Sequence, residues 1–403
     1  MTSSVLNGSS TATDDQFDRL LAAAQEMKPR LMQRAAQTEN ERRVPDETIA
    51  EMIEAGFFKY MVPTRFGGYG GGAIGQIALA AELARGCAST AWVYTLVGDI
   101  TAFVGAYLSP EGAQAIYDSA PDALVCGVTA PHGTATKVDG GYRVSGSWGF
   151  ASGSLHSSWF MGGATIVDEL GNPIDFGQIF MPMENLTIKD TWHVVGMRGT
   201  GSNTVVAEDV FVPAQFVVSV PERLAREAEF HPGDEPVDRI PFAPFFSIGL
   251  MGPPLGAARE LHAMIANDIH KRGPSYFDFA TQADSAVLVA ALGESAMMID
   301  TAALHVRRGA GELDETTTEH PLDRVTRARC RADAAHAAEN LRKAADILMS
   351  IAGGGAFASA SRLQQYWRDI NVGTRHAFLN TRPLYEVYAR ELCELQPNTT
   401  QFV

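Results

Sequence analysis

The chain has 403 residues, 46% hydrophobic and 20% charged, with a formal net charge of -15. That length supports two or three layers or domains with substantial cores, and the composition is that of a folded soluble chain, not a disordered one. The acidic balance argues against a nucleic-acid or anionic-membrane surface, since both need clustered Lys and Arg.

Residues 1–15 are rich in Ser and Thr and lack the charged-then-apolar order of a signal peptide, so a disordered tail is expected there. A helical domain is expected over 16–122. Phe17 to Arg34 is a run of helix formers. Pro45-Asp46-Glu47 opens a second helix with acidic residues in its first turn, and Gly56 stands near its end. The glycines of Val62 to Gly72 mark a loop, after which helix resumes from Ile74 to Arg85 and again from Ser89. Gly86 to Leu108 has Asp99 as its only charged residue and is long enough to span a bilayer. Its glycines, serines and threonines, and that central carboxylate, favour a buried core helix.

Between 123 and 220 the apolar period changes from 3.6 to 2. Lys137 to Gly146 reads as a hairpin turning at Asp139-Gly140, and Asp175 to Met181 and Thr204 to Val212 read as strands. A compact antiparallel β domain is expected here, followed by a Pro-rich acidic connector over 221–244. Over 245–403 the spans Glu260 to Lys271, Gln282 to Arg308 and Leu322 to Ile351 are long, alanine-rich and amphipathic. They suit a helical bundle that buries a second face against other subunits.

Cys87, Cys126, Cys330 and Cys393 form no CxxC pair and no His cluster has ligand spacing, so neither zinc nor an iron–sulfur cluster is expected. Unpatterned thiols fit a reducing cytoplasm. No GxGxxG is followed by a helix and an acidic residue, which leaves no Rossmann site for NAD. Two segments far apart carry chemistry instead. Gly146-Ser-Trp-Gly-Phe-Ala-Ser-Gly153 offers aromatic walls and a hydroxyl on a rigid turn. Arg368-Asp369, with His376 seven residues beyond the aspartate, offers the side chain best suited to proton transfer near neutral pH. Read as one helix, that spacing puts Asp369 and His376 on the same face.

With Val62 to Gly68, Gly86 to Trp92 and Met197-Arg-Gly-Thr-Gly-Ser202, these segments resemble the acyl-CoA dehydrogenase superfamily from about residue 16 to 396. They are most similar to its flavin-dependent monooxygenases, the oxygenase components of two-component aromatic hydroxylases. The resemblance implies an N-terminal helical domain, a central antiparallel β-barrel or sandwich, a C-terminal four-helix bundle and a homotetramer. It further implies reduced FMN or FAD from a separate reductase, O2, and a C4a-hydroperoxyflavin that hydroxylates a phenol, an indole-like ring or a polycyclic polyketide.

By the same resemblance His376 deprotonates or orients the substrate, with Asp369 bearing on it indirectly. Ser152 places its hydroxyl near the flavin N5, while Trp148 and Phe150 exclude water. Thr129 touches the isoalloxazine, Arg272 holds a flavin phosphate of a neighbouring subunit, and Gly354 and Gly355 let cofactor approach the backbone. Trp92 lines the substrate pocket, and Asp99 stands where several relatives carry a substrate-facing histidine. It is expected as a polar anchor or as a buried carboxylate with a structural partner. Three other readings stay open: an acyl-CoA dehydrogenase with Glu386 as base, an N- or S-oxygenase of the same fold, and a silent helical scaffold.

Overall fold

Among the described residues five α-helices precede the first strand, and the reason for the fourth is its uniform apolarity. The computed structural model describes residues 14–120, 122–226, 233–271, 273–317 and 319–403. The N-terminal helices are α1 (Asp14–Glu41), α2 (Asp46–Ala55), α3 (Ala73–Gly86), α4 (Ala88–Tyr107) and α5 (Pro110–Tyr117). A helix apolar on all sides has no solvent face to offer; α4 is accordingly buried along almost its whole length, as its composition predicts. Helix α1 starts at Asp14, and the rest of the expected tail, residues 1–13, lies outside the described residues.

The central domain has β1 (Val125–Val138), β2 (Gly141–Ala151), β3 (Trp159–Val167), β4 (Pro173–Pro182), β5 (Thr187–Lys189), β6 (Asn203–Pro213) and β7 (Val217–Ser219). They form one sheet in the order β5-β6-β2-β1-β3-β4-β7. The β1–β2 hairpin turns at Asp139-Gly140, where Gly140 takes the positive φ of 76° that the turn needs. One expectation is corrected: the sheet is mixed, because β1 pairs with β3 in parallel. Its hairpin partner already occupies one edge of β1, and the chain crosses over through residues 152–158 to reach the other.

The connector expected over 221–244 is not a bare linker. It contains α6 (Val220–Arg226), α7 (Pro236–Arg239) and the start of α8 (Phe242–Gly249). Phe242, Phe245 and Phe246 of α8 are buried, so apolar content and not the flanking prolines decides this segment. The bundle follows with α9 (Gly252–Asp268), α10 (Ala286–Asp314), α11 (Arg324–Ala352) and α12 (Arg362–Gly373) packed on one another, and α13 (Thr381–Leu392) laid on α11. Asp314 at the end of α10 accepts the amides of Ala73 and Ile74, at 2.6 and 2.9 Å, and so caps α3 from another domain.

Candidate functional site

The site lies where α4, the end of β2 and the segment after α12 meet. Beyond the Gly133–Gly146 pair, β2 no longer pairs with β1, and β1 shifts register against β3 through a bulge at Val128–Pro131. Thr129 stands half-buried in that bulge. On the opposite side, β2 ends in a turn carrying Phe150, whose φ is 65°, and Gly153, whose φ is 76°. A Cβ on Gly153 would lie 2.4 Å from Val97, so the turn packs against α4 only with glycine there. This presses Ser152 onto α4, where Trp92 donates its indole N–H to the Ser152 hydroxyl at 3.3 Å.

His376 lies on the other side of Trp92, with ring centroids 5.9 Å apart. It is not on α12, which stops at Gly373; His376 instead caps the separate turn Ala377–Leu379. The shared helical face expected for Asp369 and His376 therefore does not form. His376 Nδ1 accepts the Phe378 amide at 3.3 Å. In neutral imidazole the proton then sits on Nε2. Part of the ring stays open to solvent, yet the depth of surrounding protein disfavours the imidazolium and lowers the pKa to about 4. At neutral pH His376 is thus an uncharged N–H donor.

Asp369 reaches elsewhere. Its carboxylate accepts the Met197 amide at 2.5 Å and fixes the loop 197–202. Burial raises its pKa to about 6, offset in part by that amide and by the Arg368 guanidinium. Arg368 itself donates to Glu39 at 2.6 Å and to the Val195 carbonyl. On the loop so held, Ser202 Oγ lies 2.7 Å from Ser152 Oγ and 2.6 Å from Thr200 Oγ1, and Thr200 donates to the Met197 carbonyl at 2.9 Å. Thr200 and Ser202 carry no role in the sequence reading, although they stand in the Met197–Ser202 match. Two hydroxyls flanking a glycine in that segment were the available signal.

The remaining candidates divide sharply. Trp148 is fully buried in the sheet, donating to the Gly163 carbonyl at 2.8 Å, in a slot left by Gly133, Gly146 and Gly162. It supports the wall from behind and presents no surface of its own. Phe150 is 74% exposed, its ring edge-on to Trp192 at 5.7 Å. Asp99 is sealed in the core. Gln76 donates to it at 2.7 Å and Tyr94 donates to Gln76 at 2.5 Å, and burial pushes the Asp99 carboxyl well above the usual range. It is the buried carboxylate with a structural partner. Gly354 and Gly355 sit exposed after α11, apart from this cluster, and Arg272 lies outside the described residues. Glu386 is exposed on α13 and pairs with Arg390 at 3.6 Å, which gives it no place in a buried site.

Two family profiles match the chain: acyl-CoA dehydrogenase, N-terminal domain, over residues 13–114, and acyl-CoA dehydrogenase, C-terminal domain, over residues 248–381. The flavin-dependent monooxygenase, oxygenase subunit HsaA, of Rhodococcus jostii (strain RHA1) is 31% identical over 367 residues, covering 89% of this chain and 94% of that protein. The chain belongs to this family of flavin-dependent monooxygenase oxygenase subunits. The FADH(2)-dependent resorcinol hydroxylase, oxygenase component, of Rhizobium sp. (strain MTP-10005) is 31% identical, over 90% of this chain and 91% of that one. XiaF from Streptomyces sp., solved in complex with FADH2 and glycerol, superposes with a TM-score of 0.93 at 31% identity, covering 97% of this chain and 98% of that one.

The donor and acceptor groups of this cluster are compatible with a flavin ring system. Ser152 keeps a lone pair beyond its Trp92 and Ser202 contacts, and His376, packed on Trp92, offers a ring N–H. A planar heteroaromatic with polar edge atoms matches that donor set.

Proposed function

We propose that the protein is the oxygenase component of a two-component hydroxylase that takes reduced flavin from a separate reductase and inserts one oxygen atom from O2 into an aromatic substrate. The observation that carries this reading is that Ser152 and the neutral His376 both lie against Trp92 of α4. Reduced flavin, when bound, supplies the activation of O2. FADH2 is the form to test first, because the resorcinol hydroxylase and XiaF are named with it.

The chain's own residues then divide the work. Ser152 offers a hydroxyl to a polar edge of the flavin, and the half-buried Thr129 and the exposed ring of Phe150 are further candidates for flavin contacts. Trp92 fixes Ser152 from behind, with the buried indole of Trp148 filling the sheet beneath. His376 orients a substrate hydroxyl through Nε2–H. Of the two roles open to it, orienting suits its tautomer better than proton removal, since Nδ1 is already occupied and its pKa is about 4. Beyond His376, the rings of Phe378, Phe246 and Phe103 follow at centroid spacings of 5.9, 6.2 and 5.8 Å. An aromatic cluster next to His376 suits a phenolic, indolic or polycyclic substrate.

The homotetramer also belongs to this reading. Val287, Val289, Met297 and Leu304 leave an exposed apolar face on α10, the one described helix long and apolar enough to cross a membrane. A subunit contact covers such a face in a bundle protein. A cytoplasmic location fits the four free cysteines.

The test combines the purified protein, a flavin reductase, NADH, FAD or FMN and a panel of phenols under 18O2. The expected outcome is one 18O atom in the product, formed only when flavin is reduced. Turnover of acyl thioesters with tightly bound oxidised FAD would replace this reading with the dehydrogenase one.

A further inference from the structure

A hydroxyl has one proton to give and two lone pairs to receive, which fixes the bookkeeping around Ser152. At one end of the chain of groups stands the Met197 carbonyl, an acceptor only. At the other stands the Trp92 indole N–H, a donor only. Between them lie Thr200, Ser202 and Ser152, buried to 1%, 3% and 5% exposure, with successive oxygens 2.6 and 2.7 Å apart. Assigning protons from the carbonyl backwards gives one polarity. Thr200 donates to Met197, Ser202 to Thr200, Ser152 to Ser202, and Trp92 to Ser152. In that state the single proton of Ser152 points away from the site.

We infer that Ser202 and Thr200 are positioning residues that switch the Ser152 proton between this chain and the bound flavin. The inference rests on the reading of Ser152 as the cofactor-facing hydroxyl. In the reversed polarity Thr200 donates to Ser202 and Ser202 donates to Ser152. Ser152 then accepts from both Ser202 and Trp92, and its own proton is directed at the ligand. Every proton still has an acceptor, and only the Thr200–Met197 bond is given up. The Met197 carbonyl stays satisfied, because Trp192 Nε1 donates to it at 3.0 Å. Receiving two donors polarises Ser152 and makes it the stronger donor. The chain ends on a carbonyl, which neither gives nor takes a proton, so it orients the Ser152 proton and does not replace it. The loop is rigid enough for the purpose: Asp369 holds the Met197 amide, and Gly153 donates its amide to the Thr200 carbonyl at 3.0 Å.

Thr200→Val tests this without touching Ser152. With no acceptor at position 200, Ser202 turns its proton to Ser152 and the reversed polarity becomes the resting one. Anaerobic titration should show affinity for reduced FAD rising about two- to ten-fold, the worth of one neutral hydrogen bond. In the flavin-free protein the Trp92 indole resonance, assigned through Trp92→Phe, should move to the field of a weaker hydrogen bond. Thr200→Ser, which keeps the hydroxyl, should match the parent in both readouts, and Thr200→Ala, which removes it without a branched side chain, should reproduce Thr200→Val. Adding Thr200→Val to Ser202→Ala should change nothing further, since the effect travels through Ser202. The inference is overturned if Thr200→Val leaves both readouts unmoved, or if it acts equally without the Ser202 hydroxyl. It is equally overturned if Thr200→Ser behaves like Thr200→Val. If Ser152→Ala leaves flavin affinity unchanged, the placement of Ser152 beside the flavin fails instead, and the Trp92 resonance alone decides the switch.

Discussion

Two buried polar networks hang from α4, and they differ in what their last atom faces. The first runs from Trp92 through Ser152, Ser202 and Thr200, and Ser152 keeps a lone pair beyond those contacts. The second, seven residues along the helix, joins Asp99 to Gln76 and Tyr94 and is enclosed by α3, α4 and α8. The second holds the more perturbed group, since burial drives the Asp99 carboxyl far upward. A strong shift therefore marks depth, while the site is marked by uncharged groups with unspent hydrogen-bonding capacity beside an aromatic surface.

Single substitutions should separate the chemical role of the first network from the structural role of the second. His376→Ala removes the orienting N–H, and product formation should fall about 100-fold, the scale of a lost positioning contact. His376→Asn restores a donor and should recover part of that loss, as initial rates of product formation will tell. On the structural side, Trp148→Ala empties the glycine-lined slot and should cost about 3–5 kcal/mol in chemical denaturation. Asp99→Ala leaves the Gln76 donor buried without its acceptor and should cost about 1–3 kcal/mol, with little change in the hydroxylation rate per folded molecule. Asp99→Asn mimics the protonated carboxyl and should be near neutral in both assays.

The smallest effect expected is on pH dependence. His376 has its pKa lowered to about 4 from the ordinary value of about 6.5. Its neutral form in the fold adds stability that is present above pH 6.5 and lost as pH falls toward 4. Asp369 acts in the opposite sense. Its pKa is raised to about 6, so its contribution is complete below about pH 3.9 and lost as pH rises through 6. Between pH 4 and 6 the two offset each other. Asp369→Asn should thus leave a melting temperature that falls more steeply on acidification than the parent's, measured by calorimetry across that range.

Much of the architecture is legible in the sequence because its signals are local. The uniform apolarity of Ala88–Tyr107, the Asp139-Gly140 turn and the long alanine-rich spans each specify an element without help from the rest of the chain. The parallel β1–β3 pairing is not local, and nothing in either strand announces it. The site divides along the same line. Ser152 and His376 are readable as chemical groups, but their meeting across Trp92 depends on three separate segments. Asp369 and His376 look like helix neighbours by spacing, yet the helix ends at Gly373 between them. Trp148 looks like a wall residue until three glycines, two of them on other strands, are seen to enclose it.

The decisive measurement compares Ser152→Ala with Asp99→Asn. Each would be loaded anaerobically with reduced FAD and mixed with oxygenated buffer containing a phenolic substrate, and the hydrogen peroxide released per O2 consumed would be measured. Ser152→Ala is expected to divert most of the oxygen to peroxide, while Asp99→Asn couples it to product as the parent does. Tight coupling in Ser152→Ala, or peroxide release confined to Asp99→Asn, would contradict that expectation.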